Sequence, residues 1–425
     1  MKPETVASPP KLPPFRRRAA HKETPLANLR VVDFSHFIAG PFATLILADF
    51  GAEVIKIESA GLGDGFRNYP PMVGGESIPY LWTNRNKQSV ALDLKSPAGR
   101  EIALGLVDRA DIVVENFSTG VMARLGLDYE TVSQRNPALI YCSISAYGRN
   151  GPYGNRSGFD PIVQAESGFI SMNGDPGQAG VRAGPSVMDI STAMMASNAI
   201  LAALAARTRT GKGQYIETTM IETAVNMLGN FSMSFLATGV NPTRFGNTQP
   251  TASPVGAFET ADGPLYLACA NDRTFQRLAR DVLLDPGLAD DPDYVDSGKR
   301  RENQTKLIAH IASKLKQAGR AMWLERMHAV GVPAGAIRTV GEAMLAPEIR
   351  ELGLVGSIFH PSLGEIPNVG LPIHFSETPI ADPVAAPELG ANTAEVLARV
   401  LGFNPEQLRQ AAENGALGAL ARPMP

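Results

Sequence analysis

Apolar and polar positions follow two alternating rhythms along the first half of this chain. Short β-branched runs recur at Arg30–Ser35 (RVVDFS), Glu53–Ile57 (EVIKI), Ser89–Asp93 (SVALD), Asp111–Glu115 (DIVVE) and Ala138–Ser145 (ALIYCSIS). Each has strand length and strand composition. Between them lie helical patterns: Phe42–Phe50, opened by Pro41 and closed by Gly51, and Pro97–Arg109. Proline suits the first helical turn and glycine the position after the last. Strand–helix alternation with short connections predicts a parallel sheet covered on both faces. Such sheets bind ligands beyond the carboxyl ends of their strands. The segment after the first strand, Ser35-His36-Phe37-Ile38-Ala39-Gly40-Pro41, lacks the G-x-G-x-x-G pattern, so a nicotinamide dinucleotide is not expected.

The rhythm changes after Thr210. Gly211–Gly213 reads as a turn, QYIETTM as a strand, and the run from Ile221 to Gly239 as one helix. Asn241–Pro254 is a polar, proline-containing linker. Phe258–Ala270 carries a hairpin signal with Asp262-Gly263 at its turn. Helices follow at Asp272–Leu283 and Arg301–Gln317. The stretch from Ala346 reads as strands and a final helix, Thr393–Leu401. The expected organisation is α/β. Residues 1–25 form a disordered tail, 26–225 a Rossmann-like large domain with a parallel sheet, and 240–340 a smaller α+β domain. Residues 346–425 return to the large domain.

Composition narrows the function. Of 425 residues 44% are apolar and 19% charged, which suits a globular protein with an ample core. The net charge of −3 argues against nucleic acid as a partner. The richest apolar stretch, Thr192–Ala206, is interrupted by Asn and Thr and reads as a buried helix, so no membrane partner is expected. Residues 1–25 contain Arg16, Arg17 and Arg18 but no apolar run of the kind a signal peptide needs. Cys142 and Cys269 sit in apolar strand patterns and read as free buried thiols of a reducing, cytoplasmic compartment. The six histidines make no metal-ligand spacing.

Many segments carry a resemblance in a fixed order: VVDFSHFIAGPFAT, LADFGAEVIKIES with GDGFR, NRNKQSVALDLKSPAGR, ADIVVENFSTGVMARLGLDY, NPALIYCSISAYGRNGPYGNRSGFD, GPSVMDISTAMMA, RTGKGQYIETTMIE, GNTQPTASPVGAFETADG, VGVPAGAI and LGANTAEVL. From about Leu26 to Gly402 the chain resembles the class III CoA-transferases of the CaiB/BaiF type. The resemblance implies that CoA moves from an acyl-CoA to a free carboxylic acid, with Asp160 as nucleophile. It also implies an interlocked homodimer whose chains are threaded like links. No cofactor is implied, because the CoA thioester is itself the substrate. On the residues alone Asp160, followed by proline, reads as a turn or cap residue.

The same resemblance implies CoA contacts at Phe37, Ile38, Ala39, Leu92, Lys95, Asn116, Phe117, Arg124 and Met194. Lys95 and Arg124 can meet phosphates, and Asn116 and Phe117 follow a strand at its carboxyl end. The stretch around Arg244 resembles the arginine-containing stretch of members that take dicarboxylates, and Arg67 matches an arginine common in the family. Either can meet a second carboxylate, with succinyl-CoA as donor and a small dicarboxylate as acceptor; the other readings are a linker residue facing water for Arg244 and a structural salt bridge for Arg67. Where some members carry a glutamine, this chain has Ile38. Where others carry Arg and Lys for CoA, it has Ser59 and Ser145, and the glycine-rich lid of formyl-CoA transferase has no match. The α-methylacyl-CoA racemases share the fold, but Phe159 precedes Asp160 here, and no histidine lies between His36 and His310. A non-catalytic acyl-CoA-binding protein is the remaining alternative.

Overall fold

Valine and isoleucine at successive strand positions place apolar side chains on both faces of a sheet, and two helical layers cover them. The computed structural model describes residues 9–15, 22–249 and 251–417. Its main sheet has strands β1 (Arg30–Asp33), β2 (Glu53–Ser59), β3 (Lys87–Leu92), β4 (Ile112–Glu115), β5 (Ile140–Ser145) and β6 (Tyr215–Thr219). All pairs are parallel, in the order β3-β2-β1-β4-β5-β6. Val31 lies opposite Val54 on one side and Ile112 on the other, which fixes the central register.

The helices that matter to the site are α1 (Ala39–Asp49), α2 (Pro97–Val107), α3 (Asp160–Glu166), α4 (Val187–Thr210), α5 (Met220–Met227) and α6 (Thr393–Leu401). On one face Val32, Ile55 and Val113 pack with Ile102 and Leu106 of α2 and with Val396 and Val400 of α6. On the other, Val31, Val54 and Ile112 pack with Ala43 and Leu47 of α1 and with Ala196 and Ile200 of α4. Asn392 and Thr393 tie the start of α6 to β3, accepting hydrogen bonds from the N–H groups of Ser89 and Ala91 at 3.0 Å each.

By length and composition alone, the 24-residue α4 is apolar enough to cross a membrane. Here Ala193, Ala196, Ile200 and Ala203 lie in the core against the sheet. The buried helix read from the sequence is only half right, because Met194 and Met195 on its other side are exposed. The single helix expected over 221–239 is two: α5 ends at Met227, Gly229 takes a positive φ of 57°, and Asn230–Thr238 forms a second helix.

The chain divides into two compact units. The first comprises the chain up to Ser167, Ala183–Ser232 and everything from Arg350. The second comprises Gly168–Arg182 and Met233–Ile349. The excursion Gly168–Arg182, which the sequence places inside the large domain, therefore groups with the second unit. That unit has an antiparallel sheet of β7 (Val255–Glu259), β8 (Pro264–Ala268) and β9 (Ala334–Ala336), with the β7–β8 hairpin turning at Asp262-Gly263. Its core gathers Phe275, Leu307, Ile311 and Trp323.

The described part of the N-terminal segment departs from the disordered tail read in the sequence. Phe15 N–H donates to Ser357 O, and Ser357 N–H donates to Pro13 O, both at 2.9 Å. Three successive residues thus extend the edge of the hairpin Val355–Val369.

Candidate active site

Strand order reverses at β1 and β4, and their carboxyl ends open the crevice where such sheets take ligands. From β1 the chain enters the turn Ser35–Gly40; from β4 it enters Asn116–Phe117. The two segments are stapled. His36 N–H donates to Asn116 Oδ1 at 2.8 Å, and Asn116 Nδ2 donates to His36 O at 2.9 Å. The rings of His36 and Phe117 lie 5.2 Å apart. Gly40 lets the turn fold back on itself: a Cβ there would meet Ser35 Cβ at 2.2 Å.

Buried charges hold this turn from below. Lys56 and Lys87, both shut off from solvent, aim their ammonium groups at its two ends. Lys56 Nζ donates to Ser35 O at 2.7 Å, and Lys87 Nζ donates to Pro41 O at 2.8 Å. Each is neutralised by an equally buried carboxylate, Asp64 at 2.9 Å and Asp33 at 3.1 Å. Burial alone would raise the Asp33 carboxyl. The charges of Lys87 and Lys56, with hydrogen bonds from Ser35 and Thr44, carry it down instead, to about 2. Asp64 is driven well below the carboxylate range against the same burial penalty, chiefly by Lys56. Asp64 Oδ1 also accepts the N–H of Phe37 at 3.1 Å. That contact supports Phe37 in a left-handed conformation, φ 63°, which a bulky L residue rarely adopts. The outcome is an exposed phenyl ring at the lip of the crevice.

Asp160 opens α3 and is 4% exposed. Its Oδ2 accepts the N–H of Met188 at 2.7 Å and that of Asp189 at 3.3 Å, in the first turn of α4. Its Oδ1 accepts Gln164 Nε2 from one turn along α3. All three donors are uncharged amides. None of these donors is an ammonium or guanidinium.

A comparison of the whole chain with known families matches residues 26–393 to CoA-transferase family III. The chain belongs to that family. It is 38% identical to the succinate–glutarate CoA-transferase of Agrobacterium fabrum, over 89% of this chain and 96% of that protein. It is 33% identical to the human succinyl-CoA:glutarate CoA-transferase, over 92% and 90% of the two chains. Among solved structures, a CAIB/BAIF family protein from Brucella suis superposes with a TM-score of 0.83. The two are 35% identical, over 89% of this chain and all of that one.

Within this transferase the residues expected around CoA separate into two groups. Phe37, Ile38, Asn116 and Phe117 converge on the β1–β4 crevice. Lys95, after β3, and Arg124, in the short helix Val121–Leu125, are exposed on the same carboxyl edge of the sheet. Ser59 and Ser145 end β2 and β5 on that edge without a charge. Arg149, near that edge, is already paired: it donates to Phe117 O at 2.5 Å and to Glu115 Oε1 at 2.9 Å. Beyond it lies a cavity of about 330 Å³ walled by Tyr129, Tyr141 and Tyr215.

Other expectations need correction. Leu92 and Ala39 are core residues, packed in the two layers beside the sheet, so their side chains cannot reach a ligand in the crevice. Met194 is 47% exposed on α4. Arg67 is no substrate arginine here. Its guanidinium makes a two-pronged contact with buried Glu58, 2.7 Å for each bond, and stacks 3.7 Å above the Tyr80 ring. Arg244 clamps a loop, donating to the carbonyls of Ser171 at 3.0 Å, Asp175 and Gln178. Neither role shows in sequence, because the partners lie 9 to 73 residues away.

Asp189 is a site residue that sequence reasoning missed, although its motif GPSVMDIS was in view. Burial, and then the neighbouring charge of Asp160, push its carboxyl up to about 7. The folded chain therefore holds a proton that the unfolded chain releases near pH 4, and stability falls as pH rises from about 4 to about 7. Asp189→Asn removes that loss. The variant should be more stable than the parent at pH 8 by roughly 2–4 kcal/mol. The gain should fade toward pH 4, as read by urea unfolding across pH. A gain independent of pH, or one largest in acid, would contradict this placement of the two carboxyls.

Proposed function

We propose that this transferase moves CoA from succinyl-CoA to a small dicarboxylic acid through covalent intermediates on Asp160. The observation that carries the reading is the Asp160 carboxylate itself, secluded from water and held, among the described residues, by neutral donors. One oxygen attacks the thioester carbonyl, the C–S bond breaks, and CoA leaves as the thiolate. The thiolate attacks Cγ of Asp160, the bond from Cγ to the bridging oxygen breaks, and the donor acid departs as its carboxylate. The acceptor carboxylate then runs both steps backwards. No proton is taken up or released overall, so the site needs no general base, in keeping with a nucleophile ringed by amides.

CoA would lie across the β1–β4 crevice. Its pantetheine would pass the turn His36–Ala39, where Ala39 could contribute backbone only, and its phosphates would fall to exposed Lys95 and Arg124. The dicarboxylate preference rests on the relatives named for succinate and glutarate, not on Arg67 or Arg244. A homodimer of interlocked chains, working in the cytoplasm, completes the proposal. Phe159 and Ile162 of α3 with its cap, Met194 and Met195 of α4, and Val225 and Met227 of α5 leave an exposed apolar surface beside the nucleophile. A second copy would cover it.

The test pairs a substrate panel with one variant. The parent should transfer CoA from succinyl-CoA to glutarate at least about tenfold faster than to butyrate, the penalty for losing one charge-assisted contact. Asp160→Ala should be inactive yet folded. Hydroxylamine should trap the parent's acyl-enzyme as a hydroxamate at position 160. Equal use of butyrate would overturn the dicarboxylate reading, and an active Asp160→Ala the nucleophile. Light scattering should find twice the chain mass; a monomer under assay conditions would contradict the dimer.

A further inference from the structure

Gln164 is fully buried and lies one helical turn after Asp160, on the same face of α3. Its amide has only one consistent orientation. The N–H of Ala183 reaches Oε1 at 2.8 Å, and an N–H can be met only by the oxygen. Nε2 therefore has to face Asp160, where it donates to Oδ1. The two oxygens of the nucleophile are thus held differently. Oδ2 faces a pair of backbone N–H groups in the first turn of a 24-residue helix, and Oδ1 faces a single side-chain amide locked by another residue.

We propose that Gln164 is a catalytic donor to Oδ1, and that the N–H groups of Met188 and Asp189 form the oxyanion site for Oδ2. This rests on Asp160 being the nucleophile. Oδ1 attacks the thioester carbonyl and becomes the bridging atom of the anhydride. When the CoA thiolate adds to Cγ, the C=Oδ2 electrons move onto Oδ2, where the two backbone donors meet the new charge. The Cγ–Oδ1 bond then breaks, its electron pair goes to Oδ1 as part of the leaving carboxylate, and the Gln164 amide stabilises that charge as it grows. In the acceptor half-reaction the same donor orients the incoming carboxylate oxygen. Gln164 would thus act on bond making and breaking at Asp160, and not on CoA affinity.

Rapid mixing with succinyl-CoA in the absence of acceptor, followed by quenching and mass spectrometry of the peptide containing residue 160, reads this step directly. The parent should form the aspartyl-CoA adduct. Gln164→Met, matched in volume but without a donor, should form it between about 10- and 100-fold more slowly, with the concentration of succinyl-CoA for half-maximal rate changed less than threefold. Gln164→Glu fills the same space and can still accept from Ala183; protonated it donates to Oδ1, ionised it repels Oδ1. Its rate should therefore fall as pH rises, relative to the parent and to Gln164→Met. That pH dependence would not arise from packing, which Glu preserves. Gln164→Met forming adduct at the parent's rate, or Gln164→Glu with a rate independent of pH, would overturn the role of Gln164. A parent that transfers CoA with no adduct at residue 160 would overturn the nucleophile, and this inference with it.

Discussion

Two ammonium groups without water around them set the shape of this site. Lys56 and Lys87 lie in adjacent parallel strands, and their side chains run under the sheet's carboxyl edge to the two ends of one turn. A buried lysine is costly unless it is paired and fully hydrogen-bonded. Here Asp33 and Asp64 supply the charge, and the turn's own carbonyls are among the acceptors that complete the shell. The turn is therefore fixed by the same contacts that make the buried charges tolerable. Its left-handed Phe37, its close approach at Gly40 and its staple to Asn116 follow from that constraint.

A second group of contacts fixes the Asp160 carboxylate in the same unit. Asp160 hangs between α3 and the first turn of α4, and α4 is anchored along its length against β1, β4 and α1. Ser197 of α4 donates to the carbonyl of Ala43 in α1 at 3.2 Å, which ties the helix bearing the Asp160 donors to the helix that follows the turn. The electrostatics of the two groups differ in kind. Beneath the turn, opposite charges pair and neutralise one another. Around Asp160 the donors are amides, and the neighbouring Asp189 is itself a carboxyl whose ionisation burial and the charge of Asp160 push up to about 7. A nucleophilic carboxylate gains from that difference, because an ion pair would hold its charge in place.

The strand–helix rhythm, the Asp-Gly hairpin and the helix Thr393–Leu401 were legible in the sequence, since each rests on local periodicity or turn chemistry. The family was legible through ordered motifs. The buried charges were not: Lys56 in EVIKIES and Lys87 in NKQSVAL look like solvent-facing positions of half-buried strands until the layers are assembled. Arg67 and Arg244 were left between two readings for the same reason, because an arginine that binds a substrate and one that holds a carboxylate or a backbone are the same letter. Gln164 carried a local signal, its i, i+4 spacing from Asp160. That signal had no meaning until Ala183, across the Gly168–Arg182 excursion, fixed which way the amide points.

The central claim is that oxygen atoms pass through Asp160. It is tested most directly by supplying glutarate labelled with heavy oxygen in both carboxylates, together with unlabelled succinyl-CoA. After repeated turnover, digestion and mass spectrometry would read the peptide bearing residue 160. The account predicts heavy oxygen in the Asp160 side chain, because the bridging atom of the acceptor anhydride stays with the enzyme when CoA captures the acyl group. Glutaryl-CoA formed while that peptide remains unlabelled would contradict it.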